Sequence, residues 1–153
     1  MKKLTRYPVL FLIIVFASGP LNLYSQKNKK DVEAIMNADR KFSDFSIEYG
    51  MNKAFFEFAD TSVVLLKPNM KPLKGIEALK KYHEGIDDSE IILSWEPSFG
   101  RVAKSGDLGY TYGIWKLISN EGTFQGTYVT VWTRDKNGEW KFVLDSGNGG
   151  LGE

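Results

Sequence analysis

The stretch GDLGYTYGIW, residues 106–115, mixes large aromatic residues with glycines in a segment that otherwise has the composition of a β-strand. Gly106-Asp107 has the composition of a turn, and the residues after it alternate as they do in strands. A glycine inside a strand weakens the strand and usually marks a bend or the close approach of another group. The segment therefore predicts a strand that is either sharply curved or leaves a hollow beside Trp115 for a ligand.

Three more segments of strand composition surround this one, and turn residues separate all of them. They are residues 91–103, 123–133 and 139–146, with turns at Ser105-Gly106, Asn120-Glu121-Gly122 and Asn137-Gly138. Strands joined by such short turns pair in the antiparallel direction. The second half of the chain is therefore predicted to be an antiparallel meander.

The first half has helical spacing instead. One apolar stripe with steps of three and four starts after Asp31 and ends before Gly50; its members are Ile35, Ala38, Phe42, Phe45 and Tyr49. A second, short helix follows Asn52 as its N-cap, a strand covers residues 61–66, and Gly75 opens a third helix. Helices followed by a meander predict an α+β domain.

Residues 1–25 have the pattern of a secretory signal peptide. Three basic residues precede an apolar run from Val9 to Ala17, and cleavage near Ser25 would leave Gln26 first. The run is far shorter than the roughly 20 residues that span a bilayer. We expect an exported protein, periplasmic or secreted, that is soluble and not stably inserted in a membrane.

The rest of the chain is predicted to hold one domain. Residues 26–30 are a polar lead-in, residues 31–147 the domain, and residues 148–153 a glycine-rich flexible tail. Loss of the signal peptide removes three of the 20 basic residues and none of the 19 acidic ones, so the mature chain is slightly acidic. This balance does not favour nucleic acid as a partner.

Composition also limits the chemistry. The chain has no cysteine, which excludes disulfides and thiolate ligands, and it has one histidine, His83. A single histidine does not make a common zinc site, and a packing role for it is favoured. No metal, haem or dinucleotide motif is present, so we expect no cofactor.

Strand alternation assigns side chains to the two faces of the sheet. A two-residue loop at Asn120-Glu121 or at Glu121-Gly122 gives the same two faces, and the first of these sets Gly113 opposite Tyr128 and Gly126 opposite Trp115. A three-residue loop with a bulge would exchange the faces. One face then carries Gly113, Trp115, Gly126, Tyr128, Thr130, Trp132 and Asp145, and the other carries Tyr110, Tyr112, Ile114, Val129, Val131, Trp140, Phe142 and Leu144. The first face suits either a ligand cavity or a curved sheet in which aromatic rings cover glycines. The two interpretations are compatible.

Two carboxylates are candidates for chemistry. Asp145 is predicted to lie partly buried beside Tyr128, where its pKa would rise and it could exchange protons near neutral pH. The alternative is a strand-end aspartate that accepts hydrogen bonds from the following backbone. Asp39 flanks the apolar stripe of the first helix, so it reaches either the rim of a pocket or the solvated face of the helix.

These motifs together resemble a known superfamily. The segments ADRKFS, FADTSVVLLKP and PLKGIEAL and the strand motifs GDLGYTYGIW, GTYVTVW and GEWKFVLDSG resemble the SnoaL-like and ketosteroid-isomerase-like branch of the nuclear transport factor 2-like superfamily. The resemblance covers roughly residues 31–147. It implies a cone-shaped α+β fold: a strongly curved, mostly antiparallel sheet wrapped around a long N-terminal helix, with two further short helices.

The resemblance also implies a pocket between helix and sheet, and often a homodimer formed through the apolar face of the sheet. The implied pocket residues are Trp115, Trp132, Tyr128, Thr130 and Asp145 with Gly113 and Gly126, and Phe42 and Asp39 from the helix. Trp95 joins them only if Pro97 marks a bulge. The general-base aspartate of ketosteroid isomerases has no counterpart in the segment Leu65–Pro68, so steroid-type isomerisation is not expected.

The sequence thus predicts a protein that binds a small apolar or aromatic molecule. If it is an enzyme, cofactor-free acid-base chemistry of the isomerase, dehydratase, cyclase or hydrolase type is expected, with Asp145 exchanging the proton and Tyr128 as hydrogen-bond partner. A non-catalytic carrier or sensor would use the same pocket. An association module would need no pocket at all.

Overall fold

The structure, a computed structural model, describes residues 19–152. In chain order its elements are α1 (Gly19–Tyr49), α2 (Met51–Phe58), β1 (Ala59–Leu66), β2 (Leu73–Lys74), α3 (Ile76–Glu84), β3 (Ile92–Val102), β4 (Leu108–Ser119), β5 (Gly122–Arg134) and β6 (Trp140–Gly149). The strands form one sheet in the order β2-β1-β6-β5-β4-β3, in which β1 and β6 are parallel and the other neighbours antiparallel. The predicted α+β class and mostly antiparallel sheet are confirmed.

Helix α1 is longer than the sequence predicted. Residues 26–30, predicted to be a lead-in, continue the helix, and it ends as expected before Gly50, whose φ of +93° favours glycine. Residues 1–18, which hold most of the predicted signal peptide, lie outside the described residues. Within the described part, no helix is long and apolar enough to cross a membrane.

The buried side of α1 is more polar than the predicted stripe. Its buried members are Ile35, Asp39, Phe42, Ser43 and Ser46, whereas Tyr49 is exposed. Both serines bond to β3: the Ser46 hydroxyl donates to the Leu93 carbonyl at 2.8 Å, and the Ser43 hydroxyl accepts from the Trp95 backbone N–H at 2.8 Å. Since β3 supplies hydrogen-bond partners, these small polar residues are buried without an unpaired group.

The second helix begins differently from the prediction. Gly50, not Asn52, is its N-cap residue. The Asp88 carboxylate accepts from the Asn52 backbone N–H at 2.7 Å, and the Asn52 amide donates to the Ile86 carbonyl at 2.7 Å. Asp88, which is distant in sequence, therefore supplies the acceptor for a free backbone N–H at the start of α2. The local sequence pattern does not reveal such a partner.

The pairing of β4 with β5 follows the predicted two-residue loop. Gly113 lies opposite Tyr128 and Trp115 opposite Gly126, as the alternation required. In the next pair, β3 with β4, the register shifts between Pro97 and Phe99. The condition set for Trp95, a bulge at Pro97, is therefore met, and its side chain faces α1.

At the β5–β6 hairpin the predicted faces are wrong for two residues. Trp140 and Phe142, assigned to the outer face, are buried in the core. A register shift after Val131 pairs Trp132 with Phe142, so Val143 is an extra residue on β6, and residues 135–139 form the loop. Because of this extra residue, the β6 side chains between it and the turn face the opposite side of the sheet from the one predicted.

The C-terminal glycines are also more ordered than predicted. Asn148 and Gly149, assigned to a flexible tail, extend β6 opposite Thr127 and Gly126. The Gly150 N–H donates to the Gln125 carbonyl at 2.8 Å. These residues thus help to form one end of the sheet, where Gly149 lines a cavity.

Candidate functional site

A cavity of about 260 Å³ lies between α1 and α2 on one side and the concave face of the sheet on the other. Most of its lining residues are apolar or aromatic, and the rest supply a few polar groups; together they are Phe42, Met51, Phe55, Lys67, Pro68, Leu93, Trp95, Trp115, Leu117, Tyr128, Thr130, Asp145, Gly147 and Gly149. Its volume is slightly below the roughly 300 to 1,000 Å³ of drug-sized sites. The space therefore suits a small molecule.

Six of the residues named from the sequence meet at this cavity: Phe42, Trp95, Trp115, Tyr128, Thr130 and Asp145. Four others do not line it. Trp132 is wholly buried in the core, and its indole N–H donates to the Thr111 hydroxyl at 2.8 Å. Asp39 lies behind Trp95 and Tyr128, and the two glycines, Gly113 and Gly126, are covered by neighbouring groups.

Curvature and cavity occur together around Trp115. A Cβ at Gly126 would lie 2.5 Å from the Trp115 ring and 1.9 Å from the Asn148 carbonyl oxygen, so only glycine fits. The Trp115 indole N–H donates to the Thr127 carbonyl at 3.2 Å and to the Asn148 carbonyl at 3.1 Å. The ring is thus fixed across β5 and β6, and it also forms a wall of the cavity.

Among the described residues, Asp145 is the acidic one that lines the cavity. It stands between β5 and β1, opposite Thr130 and Leu65, and the Thr130 hydroxyl donates to its Oδ2 at 2.8 Å. Burial raises its pKa to about 6, while Lys67 and the Thr130 bond oppose the rise. A carboxyl group with that pKa changes protonation state readily near neutral pH.

Tyr128 is bonded to the other buried carboxylate. Its hydroxyl donates to Asp39 Oδ2 at 2.8 Å, and the Trp95 indole N–H donates to Asp39 Oδ1 at 2.7 Å. Burial raises the pKa of Asp39, and hydrogen bonds from Thr111, Trp95 and Tyr128 oppose the rise. Asp39, on the buried face of α1, therefore holds the side chains of Tyr128 and Trp95 in place, and both of these line the cavity.

These contacts restrict what Tyr128 can do. Burial and the nearby Asp39 raise its pKa well above the usual tyrosine range, so the phenol stays protonated. Its proton is engaged by Asp39, but its oxygen still has lone pairs that accept a hydrogen bond. Tyr128 can therefore act as an acceptor towards a ligand, and its partner on the protein is Asp39 rather than Asp145.

Several lining residues were not predicted. Met51, Phe55 and Leu93 have no distinguishing sequence signal, because they are apolar residues in apolar patterns, whereas strand parity puts Leu117 on the same face as Trp115. Lys67 has a sequence signal as well. It follows the buried residues Val63 and Leu65 at steps of two along the line of β1, so strand alternation points it inward.

His83 packs as the sequence favoured. Its Nδ1 lies 2.8 Å from Asn52 Oδ1, its ring lies 4.9 Å from that of Phe55, and burial lowers its pKa to about 4. It is therefore neutral at physiological pH, and its Nε2 has no hydrogen-bond partner among the described residues. Within residues 19–152, no cluster of three or more His, Cys, Asp or Glu side chains is arranged to hold a metal ion.

No protein-family model matches this sequence, and no curated protein matches it either. Solved structures do. A nuclear transport factor 2-like protein with a cystatin-like fold from Novosphingobium aromaticivorans superposes with a TM-score of 0.68 at 15% identity, over 90% of this chain and 94% of that one.

Two further structures carry provisional enzyme names. One, from Novosphingobium aromaticivorans, is named a scytalone dehydratase and has a TM-score of 0.66 at 17% identity, over 83% of this chain and 89% of its own. The other, from Parabacteroides distasonis, is named a ketosteroid isomerase and has a TM-score of 0.61 at 17% identity, over 72% of this chain and 84% of its own. At these identities the likeness establishes the fold alone: the chain adopts the cone-shaped nuclear transport factor 2-like fold that its motifs implied.

Proposed function

We propose that this protein binds a small apolar or aromatic molecule in the cavity beside Asp145 and transfers a proton to or from it. One observation carries the proposal: a buried carboxyl group, held by a single side-chain hydrogen bond from Thr130, faces an otherwise largely apolar cavity. Only 8% of the Asp145 surface is exposed, so few water molecules compete with a substrate for its proton. The chemistry would be a cofactor-free isomerase, dehydratase, cyclase or hydrolase step.

The remaining cavity groups have supporting roles in this proposal. Trp95, Trp115 and Phe42 hold the ligand by packing, and Trp95 and Trp115 are themselves fixed by hydrogen bonds. The Tyr128 oxygen accepts a hydrogen bond from a ligand donor. Thr130 orients the Asp145 carboxyl group, so that its free oxygen, Oδ1, is the one that exchanges the proton.

The test combines a ligand screen with one substitution. Thermal-shift and fluorescence screens of small aromatic and alicyclic compounds should find ligands, and Asp145→Asn should leave their affinity nearly unchanged while turnover falls by about two orders of magnitude or more. The matched control is Asp44→Asn, the same change at an exposed aspartate of α1 outside the cavity, which should alter neither quantity. Equal turnover in Asp145→Asn and the parent protein would refute the catalytic role.

A carrier or sensor is the second candidate function. The hydrogen bond between Tyr128 and Asp39 favours this function, because it engages both side chains. Asp145 is then the one carboxyl group that lines the cavity among the described residues. For such a protein, Asp145→Asn would preserve both binding and the biological response. Ligands that bind without chemical change would support it.

Export and self-association are part of the same proposal. Residues 1–25 are the proposed signal peptide, and N-terminal sequencing of the exported protein should begin near Gln26. The outer face of the sheet exposes large apolar side chains of Phe99, Tyr112, Ile114 and Val129, which suit a second copy of the chain. The proposed assembly is a homodimer through this face.

A further inference from the structure

Lys67 places a positive charge in the wall of a cavity that is otherwise largely apolar. The residue directly follows β1, is half-buried, and continues the inward line of Val63 and Leu65. Its ammonium lies 5.8 Å from the centre of the Phe55 ring, which also lines the cavity. The charged end of the side chain therefore belongs to the cavity rather than to the outer surface.

This charge has no ionic partner on the described protein. The ion pairs within residues 19–152 join Arg40 to Glu96, Lys80 to Glu84, and Arg134 to Asp31, and none includes Lys67. Lys67 still influences its surroundings, because its charge lowers the pKa of both Asp145 and His83. The ammonium is thus near Asp145 without forming an ion pair with it.

The geometry leaves room for a ligand group beside Lys67 and Asp145. Asp145 pairs with Leu65 across the parallel strands, and Lys67 lies two residues further along the same face. The Thr130 hydroxyl already occupies one oxygen of Asp145. A ligand atom set beside Lys67 would therefore meet an unpaired cation, with the Asp145 carboxyl group as its neighbour.

Three kinds of ligand head can be compared at this position. A cationic head would be repelled by Lys67, and a hydrocarbon would displace water from the ammonium without replacing its hydrogen bonds, which is costly. An anionic head would gain charge-assisted hydrogen bonds. A carboxylate group is the common organic anion small enough to leave most of about 260 Å³ for an apolar body.

We propose that Lys67 is the anion-recognition residue of the cavity and that the ligand is a small aromatic or alicyclic monocarboxylate. Its apolar body packs between Phe42, Trp95 and Trp115, and its carboxylate accepts hydrogen bonds from the Lys67 ammonium. This inference rests on the proposed small-molecule function and specifies its ligand class. Lys67 selects the ligand, and Asp145 stays free to exchange a proton with the atoms next to the head.

The experiment uses matched acids and amides as probes. Isothermal titration of the full-length mature protein with cinnamate and cinnamamide, and with 1-naphthoate and 1-naphthamide, should show at least one acid bound about tenfold or more tighter than its amide. Lys67→Met keeps the length of the stem and removes the charge, so it should abolish this preference. Lys67→Arg should retain it, and Lys53→Met, an exposed lysine of α2 outside the cavity, should change nothing.

The outcomes separate this inference from the function on which it rests. Amides that bind as tightly as their acids, or a preference for acids that survives Lys67→Met, would overturn anion recognition and leave the ligand cavity standing. Failure of every acid and amide, with binding of neutral indole or naphthalene, would also overturn it. If the neutral compounds fail as well, the proposed small-molecule function itself is wrong.

Discussion

The Tyr128 hydroxyl donates a 2.8 Å hydrogen bond to Asp39 Oδ2, which joins the fifth strand of the sheet to the buried face of the first helix. Asp39 has no solvent exposure and also accepts from the Trp95 indole N–H. The pair therefore fixes two aromatic walls of the cavity to one carboxylate. Loss of either partner should loosen the cavity as well as the fold.

Tyr128→Phe should lower the free energy of unfolding by about 2 kcal/mol, because a buried carboxyl group loses a hydrogen-bond donor. Urea denaturation of the single and double variants with Asp39→Asn measures the coupling between the two side chains. We expect the Tyr128→Phe loss to shrink to about half or less when Asp39→Asn is already present, since no charge then needs the donor. Equal losses with and without Asp39→Asn would contradict a direct interaction.

Asp145 should make stability depend on pH. Because its pKa is raised from 3.8 to about 6, the folded state binds its proton more tightly than the unfolded state does. Its stabilising contribution is fully present below pH 3.8 and is lost as the pH rises through about 6, a loss of up to about 3 kcal/mol at neutral pH. Lys67, Asp39 and Tyr128 are the charged or titratable groups that share this environment.

Asp145→Asn removes that penalty and keeps the shape of the side chain. The variant should therefore be more stable than the parent protein at pH 8, and the difference should shrink towards zero near pH 4. Chemical denaturation at both pH values checks the sign. A variant that is less stable than the parent at pH 8 would show that the ionised carboxylate is well satisfied and that its pKa is not raised.

Gly126→Ala should disrupt the edge of the cavity, because the new methyl group would overlap the Asn148 carbonyl and the Trp115 ring. A loss of about 2–4 kcal/mol in unfolding free energy is expected, as for other overpacked sites. Gly149→Ala, at the facing position on β6, is the matched control, since nothing lies within 4 Å of its added Cβ. Similar stabilities of the two variants would contradict the described packing of Trp115.

The proposed homodimer gives a separate prediction. Ile114 is 45% exposed on the outer face of the sheet, and Ile114→Lys should convert a dimer into a monomer by placing two like charges in the interface. Light scattering coupled to gel filtration measures the change. Ile47→Lys, at a 53% exposed position of α1, is the control. A parent protein that is monomeric at high concentration would refute the assembly.

The sequence predicted the parts of the fold that local patterns specify. Alternation and a two-residue loop placed Gly113 opposite Tyr128, and this glycine correctly indicated a close approach, since a Cβ there would lie 2.1 Å from the Glu96 carbonyl oxygen. Pattern failed where one residue is inserted into a strand: the register shift near Val131 turned Trp140 and Phe142 inward. Bulges of this kind depend on packing between distant segments, which periodicity does not report.

The candidate site shows the same division. Asp145 and Trp115 followed from strand parity, and the same rule applied to β1 would have identified Lys67. Asp39 was the harder residue, because an aspartate beside an apolar stripe is ordinarily solvated. Its burial depends on donors from Trp95, Tyr128 and Thr111, which come from three different strands. Only the folded sheet brings those donors together.

The most direct test of the central claim is a crystal structure of the protein soaked with small aromatic compounds. We expect an ordered ring between Phe42, Trp95 and Trp115, with a polar atom of the compound at hydrogen-bonding distance from Asp145 or Lys67. A structure in which rearranged side chains fill that space, and no compound binds there, would contradict it.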